Sequence, residues 1–471
     1  MASGRALNPL DWAFLAAESG PTMMHVGAMM TFTPPPDANA EMLREMMDEV
    51  RAQTRAYPPW SLKLRHPEWL ASPLQRWIED KDFDPEYHVR RSALPQPGDE
   101  RELGILVSRL HSHPIDFTRP PWEVHFIEGL EGGRMALYFK VHHALVDGYT
   151  GIKLLSAGLS SSADDRSKPM FFALPAERRD RDKPLPVDTT PSFESLLAGL
   201  KAQWATTAQV GGALKQAFQP KKSGLVAPMQ SPKSIINRKI SRNRRFATQQ
   251  FSLDRLKAVA TGYGATLNDI SLALCSLALR RWMLEQDALP GEPLTAMLPV
   301  NIRPKDDPGG GNAVGAILAS LATDIEDPAG CIAAIIDSTQ RAKAQLQGMS
   351  AGGIMQYSAL LMSPLLLSQV PGTVGRMRPA FNLVVSNVPG PKEAVYFRGF
   401  KMDAYYPISI PLDGYGLNIT LVSYGDQLNF GFIGCRDSVP HLQRLAVYAG
   451  EALVQLEAGL APQPTRARKK R

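Results

Sequence analysis

Residues 135–148 constrain this chain more than any other stretch. Met135, Leu137, Phe139 and Val141 alternate with Ala136, Tyr138, Lys140 and His142, the two-residue period of a strand. The run ends in His142-His143-Ala-Leu-Val-Asp147-Gly148, an HHxxxDG unit. If the strand persists to its end, the two histidines point to opposite faces and only one can reach a given cavity. By parity His143 continues the apolar face. A histidine at the end of a buried strand suits a general base near neutral pH. A lone strand-end histidine is as readily a packed one, so the weight rests on the tandem His with Asp-Gly at this spacing. Asp147 can cap the helix that Gly148-Tyr-Thr-Gly-Ile-Lys-Leu-Leu starts, or pair with a cation.

The chain has 471 residues, 44% hydrophobic and 21% charged, enough for two or three domains with real cores. The formal net charge is +6. Positive residues gather at Arg238, Lys239, Arg242, Arg244 and Arg245, and again in the tail 466–471. Each cluster reads equally as a solvated segment or as a surface for anionic head groups or a polyphosphate. No nucleic-acid module accompanies them, so no nucleic-acid partner is expected. Cys275, Cys331 and Cys435 are far apart and lack CxxC spacing, which speaks against a disulfide framework and for a reducing cytosol. His111 and His113 stand without further ligand types nearby, and no metal site is expected. The start of the chain carries no signal-peptide pattern, because Asp11 and Glu18 interrupt its apolar run. The greasy stretch 354–370 is short for a span and broken by Gln356, Pro364 and Gln369. It reads as a buried or interfacial helical segment.

The chain divides into an α/β unit over 1–160, a charged, proline-bearing crossover with an embedded helix over 161–240, a second α/β unit over 241–460 and a basic tail over 461–471. Helices are expected at 39–55, 101–113, 193–218, 253–263 and 266–280, the last apolar all round and therefore buried. Strands are expected at 293–301, 313–323, 381–389, 417–424 and 428–435.

Six short motifs follow one another in order: Met24-His-Val-Gly27, Pro120-Pro-Trp122-Glu, Val141 to Gly148, Leu267-Asn-Asp269, Leu298-Pro-Val-Asn-Ile-Arg303 and Ser386-Asn-Val-Pro-Gly-Pro391. Together they resemble the bacterial wax ester synthase/diacylglycerol acyltransferase family, within the superfamily of CoA-dependent acyltransferases that includes chloramphenicol acetyltransferase and condensation domains. The resemblance runs from Leu7 to about Gly459. Pro121 departs from it, because the family usually carries leucine before this tryptophan. The resemblance implies an α/β fold of two chloramphenicol-acetyltransferase-like halves. Each is a mixed sheet flanked by helices, with a tunnel between them and HHxxxDG at mid-tunnel. It implies acyl-CoA as a substrate with no permanently bound cofactor, and a fatty alcohol or diacylglycerol as the acceptor.

In that frame His143 is the expected general base, taking the proton of the acceptor hydroxyl as it attacks a thioester. His142 holds the loop. Asp147 orients it, with Arg303 as the expected partner. Gly148 admits the acyl or pantetheine chain without a Cβ. Asn268 either donates to the oxyanion from a helix start or is a plain N-cap. Trp122 walls the tunnel or fills a core. Ser386 and Asn387 sit by the tunnel or merely lead into a turn. Ser358 and Ala359 relieve a tunnel wall for long chains or are ordinary helix packing. Two other readings compete: a condensation-type enzyme with another acceptor or a carrier-protein donor, and a non-catalytic lipid-surface protein. Peripheral contact with the inner membrane face or with lipid inclusions is expected from apolar substrates and the basic tail.

Overall fold

The computed structural model describes residues 4–39, 41–175, 226, 228–301, 314–347, 354, 357, 374 and 377–460. The crossover helix at 193–218, Arg303, Ser358, Ala359, most of the stretch 354–370 and the tail 461–471 lie outside the described residues.

The first part of the chain runs β1 (Arg5–Ala6), α1 (Pro9–Ala17), β2 (His25–Thr33), α2 (Met42–Arg51), β3 (Leu62–Leu64), β4 (Arg76–Glu79), α3 (Pro85–His88) and β5 (Val89–Ala93). It continues through α4 (Glu100–His111), β6 (Trp122–Glu128), β7 (Met135–His142) and α5 (Gly148–Ala157). The later part holds β8 (Arg244–Ser252), α6 (Leu253–Tyr263), α7 (Leu267–Glu285), β9 (Thr295–Asn301), β10 (Val314–Ser320) and α8 (Pro328–Leu346). After these come β11 (Leu383–Pro389), β12 (Tyr396–Phe397), β13 (Phe400–Ile408), β14 (Leu417–Tyr424), β15 (Gln427–Cys435) and α9 (Gln443–Leu460).

Two mixed six-stranded sheets carry the fold, ordered β12-β13-β2-β7-β6-β5 and β10-β9-β11-β14-β15-β8. A small third sheet, β1-β4-β3, stands apart. In the first sheet β7 lies between β2 and β6, antiparallel to both, with His25 opposite His142. Its alternation is the expected one. Leu137, Phe139 and Val141 pack into one core with Trp60, Trp122 and Phe171, while Ala136 and Tyr138 face a second core under α4. The largest core joins the second sheet to α6, α7, α8 and α9. Helix α7 is buried over most of its circumference, as its composition demands. It opens on a capping box between Thr266 and Asp269.

One boundary departs from the sequence division. Strands β12 and β13 belong to the stretch 241–460, yet β13 pairs with β2 and extends the first sheet. The halves are therefore interleaved and not self-contained. The two sheets also touch at Gly431 of β15, where a Cβ would come within 1.9 Å of the Pro407 carbonyl oxygen on β13. Only a residue without a side chain admits that approach. The basic cluster near 238–245 is likewise no simple solvated loop. Arg244 is buried at the start of β8, where Nη1 donates to Ser241 O and Nη2 to Pro21 O, tying the later part of the chain to the N-terminal part. Burial lowers its pKa to about 10.

Candidate active site

Strand β7 stops at His142, one residue before the parity argument requires. His143 begins a turn closed by the Leu145 N–H donating to His142 O at 2.9 Å. The two rings still diverge, but the turn decides how. His142 is buried, edge-on to Phe117, and its Nδ1 accepts the Ala144 N–H at 3.2 Å. That bond leaves the proton on Nε2, which lies 3.3 Å from Glu18 Oε2 without forming an aligned hydrogen bond. Glu18 Oε2 also accepts the Met24 N–H at 2.5 Å. The Met24 carbonyl in turn accepts the His143 N–H at 2.9 Å. His142 thus contacts its own loop through Ala144 and faces Glu18 on its other edge.

His143 is half-buried, and its ring stacks on Phe14 with centroids 4.1 Å apart and planes 25° off parallel. Its Nδ1 is buried and has no hydrogen-bond partner among the described residues. Burial pushes its pKa down to about 4, against the weaker pull of the Asp147 charge. The imidazole is neutral at pH 7 and free to take a proton.

Helix α1 lies along this motif. Phe14 touches His143, Leu15 shares a core with Ala144, and Glu18, the C-cap residue, meets His142. Asp11 feels the Asp147 charge; its pKa is raised by burial first, with that neighbour adding to it. Positions 11, 14, 15 and 18 form one helix face. Sequence reasoning saw Asp11 and Glu18 only as interruptions of an apolar run. The signal was their spacing, together with Asn8, whose side chain caps the helix, and Pro9 at its first position.

Asp147 caps α5: Oδ1 accepts the Thr150 N–H at 2.9 Å and Oδ2 the Thr150 hydroxyl at 2.7 Å. Its expected partner Arg303 is not among the described residues. Gly148 is the first residue of α5, and a Cβ there would meet nothing within 4 Å among the described residues. Packing by the described residues does not require this glycine. Asn268 is not an N-cap. Thr266 is, and Asn268 is the second residue of α7, half-buried and with no side-chain hydrogen bond to the described residues. Trp122 is 1% exposed, packed among Trp60, Phe83, His88 and Phe172, with its indole N–H donating to Trp60 O at 2.8 Å. That is the core-filling alternative. Ser386 and Asn387 lie on β11, half-buried and exposed respectively. Strand β11 pairs with β9 only at Leu383 and Val384, so both residues stand where the sheet parts on that side.

Residues 7–271 match the family model of the wax ester synthase/diacylglycerol acyltransferase catalytic domain, and residues 310–457 that of the C-terminal domain of the same group. A Mycobacterium tuberculosis chain named for diacylglycerol O-acyltransferase activity is 50% identical, covering 97% of this chain and 98% of its own. The O-acyltransferase WSD of Acinetobacter baylyi is 38% identical, with 98% of each chain covered. Among solved structures, the wax ester synthase/diacylglycerol acyltransferase from Marinobacter aquaeolei VT8 superposes with a TM-score of 0.76 at 35% identity, over 96% of this chain and 99% of that one. The first condensation domain of the calcium-dependent antibiotic synthetase shares the fold alone, with a TM-score of 0.56 at 17% identity over 98% of each chain.

Proposed function

The chain belongs to the wax ester synthase/diacylglycerol acyltransferase family, and from that premise we propose that it carries a long-chain acyl group from acyl-CoA to the hydroxyl of a fatty alcohol or a diacylglycerol, with His143 as the general base. The observation that carries the base assignment is a neutral, half-open imidazole held by stacking on Phe14.

An alcohol is a weak nucleophile while it keeps its proton. The neutral ring of His143 accepts that proton as the oxygen bonds to the thioester carbonyl carbon. The tetrahedral intermediate then collapses, the C–S bond breaks, and the imidazolium returns the proton to the departing CoA thiolate. Ester and free CoA are the products, and no acyl-enzyme is required. His142, Glu18 and the Asp147 cap act through His143 by fixing the loop that carries it. Asn268, with its side chain unclaimed by the described residues, suits a donor to the oxyanion. Ser386 and Asn387, at the parted edge of β11, suit a tunnel lining, and Ser358 and Ala359 keep the tunnel-wall role drawn from the sequence. Trp122 supports the site from within the core.

Purified protein given labelled palmitoyl-CoA with hexadecanol and diacylglycerol in parallel should form ester and release free thiol in equal amounts. His143→Ala should lower the rate by about two to four orders of magnitude. Unchanged ester formation in that variant would overturn the base assignment. Apolar substrates also favour peripheral contact with a membrane or lipid inclusion. No helix among the described residues is long and apolar enough to cross a membrane.

A further inference from the structure

The β3–β4 connection is an ordered loop that holds large apolar side chains in water. Buried Gln75 knots it: the Gln75 side chain accepts the His66 N–H at 3.0 Å and donates to His66 O at 2.9 Å and to Trp69 O at 3.3 Å. Leu70 and Trp77 pack beneath. Above the knot, Leu74 is 71% exposed, Trp69 58%, and Trp12 on neighbouring α1 40%. A loop pinned this firmly cannot fold those side chains under itself, so they remain available to a partner.

Beside them opens a cleft of about 480 Å³ between β1, β4 and the loop, lined by Trp12 and Leu74 together with Arg65, His66 and Arg76. Among the described residues no carboxylate lines it. Arg76 donates to Gly4 O, and Arg65 is exposed with no ion pair among the described residues. Glu68, at 3.7 Å from the His66 ring, lies outside the lining. Tryptophan and leucine beside cations are the chemistry of a lipid–water interface.

We propose that this face, formed by the β3–β4 loop, Trp12 and the cleft, docks the protein on an anionic phospholipid surface, with lipid phosphate between Arg65 and Arg76. The meaning of such docking rests on the lipid-acyltransfer reading. Trp12 and Phe14 occupy opposite faces of α1, so the docked surface lies one helix away from His143.

Sedimentation of the full chain with phosphatidylcholine vesicles, with and without phosphatidylglycerol, tests this directly. The protein should bind the anionic vesicles, and more weakly as salt rises. Trp69→Ser combined with Leu74→Asp should weaken partitioning roughly tenfold or more. Arg65→Glu, a surface change that leaves the fold alone, should weaken binding to the anionic vesicles only. Esterification of a short water-soluble alcohol without vesicles should be the same in both variants as in the wild type, and if that reaction is absent from the wild type the acyltransfer reading fails while the sedimentation result still stands. Wild-type partitioning in both variants would overturn the proposal. So would a change of oligomeric state in place of vesicle binding, or binding of glycerol phosphate that is insensitive to vesicles.

Discussion

His143 owes its chemistry to where its ring is kept. An exposed imidazole would be half-protonated near 6.5, whereas burial brings this one to about 4. The sign of the pH dependence follows. The base form dominates at every pH above 4, so kcat/KM should hold level as pH falls from 7 to about 5 and drop only near 4. A break near 6.5 in the profile of the purified enzyme would show that the ring is not shielded in solution. Glu18 acts through His142 and through the Met24 amide, so it is a positioning residue. Glu18→Gln keeps an acceptor for Met24 but loses the charge facing His142. We expect kcat to fall about tenfold while KM for acyl-CoA stays within a factor of about two. An equal rise in KM would assign Glu18 to substrate binding instead.

Among the elements, α7 shows what local pattern can and cannot reveal. Its apolar circumference announced burial, and the helix is buried. Its cap residue was left open because Thr266, Asn268 and Asp269 all have capping chemistry, and only geometry selects among them. The winning pair has a third participant: Asp269 Oδ1 accepts the Thr339 hydroxyl of α8 at 2.8 Å. Asp269→Ala should therefore cost about 1–2 kcal/mol in urea unfolding, because the capping box is lost and the buried Thr339 hydroxyl is left with only the Ile336 carbonyl at 3.1 Å. A loss under about 0.5 kcal/mol would mean that the cap is dispensable. Helix α1 is the opposite case. Its hydrogen-bonding cap was readable, but nothing local says that its face at 11, 14, 15 and 18 covers residues 142–147 rather than any other surface.

In the whole molecule, the exchanged strand β13 binds the halves together, and a buried ion pair holds the first sheet. Lys140 is fully buried, with Nζ 2.5 Å from Glu123 Oε1 and also donating to Leu110 O and His113 O. Burial alone would raise the Glu123 pKa, but the contact with His125 and the ion pairs with Lys140 and Arg90 together outweigh it and hold the value at about 2. Lys140→Met should lower stability by about 3–5 kcal/mol, because it strands a buried carboxylate, and Glu123→Gln in the same chain should recover part of that loss in thermal melts. The buried histidines set the acid limit. His25, His88, His111 and His143 all have folded pKa values lowered by burial. Their contribution is complete above the unfolded value near 6.5 and is lost as pH falls towards the folded values. The Glu123 contribution persists until much lower pH, since its folded value lies below that of the unfolded chain. Tm should thus decline steadily from about pH 6.5 to 4, and a flat Tm over that window would contradict the burial of these rings. Gly431→Ala should destabilise by at least about 2 kcal/mol, because β15 and β13 cannot separate there without parting the two sheets.

The motif, the strand leading to it and the α/β class were legible because they depend on neighbours in sequence: alternation, apolar periodicity and turn chemistry act over a few residues. Residues Leu417–Tyr424 and Leu253–Tyr263 were read to their ends for that reason. What faces a side chain across space is a different matter. That β13 joins β2, that Arg244 reaches Pro21, that Trp122 lies inside an aromatic core and that Glu18 meets His142 are choices among chemically equal partners. Only packing of the whole chain makes those choices. The sequence by itself determined which residues could do the chemistry; the tertiary structure decided which of them are buried, neutral and held in place, because desolvation and contact are properties of the folded surroundings and not of the residue.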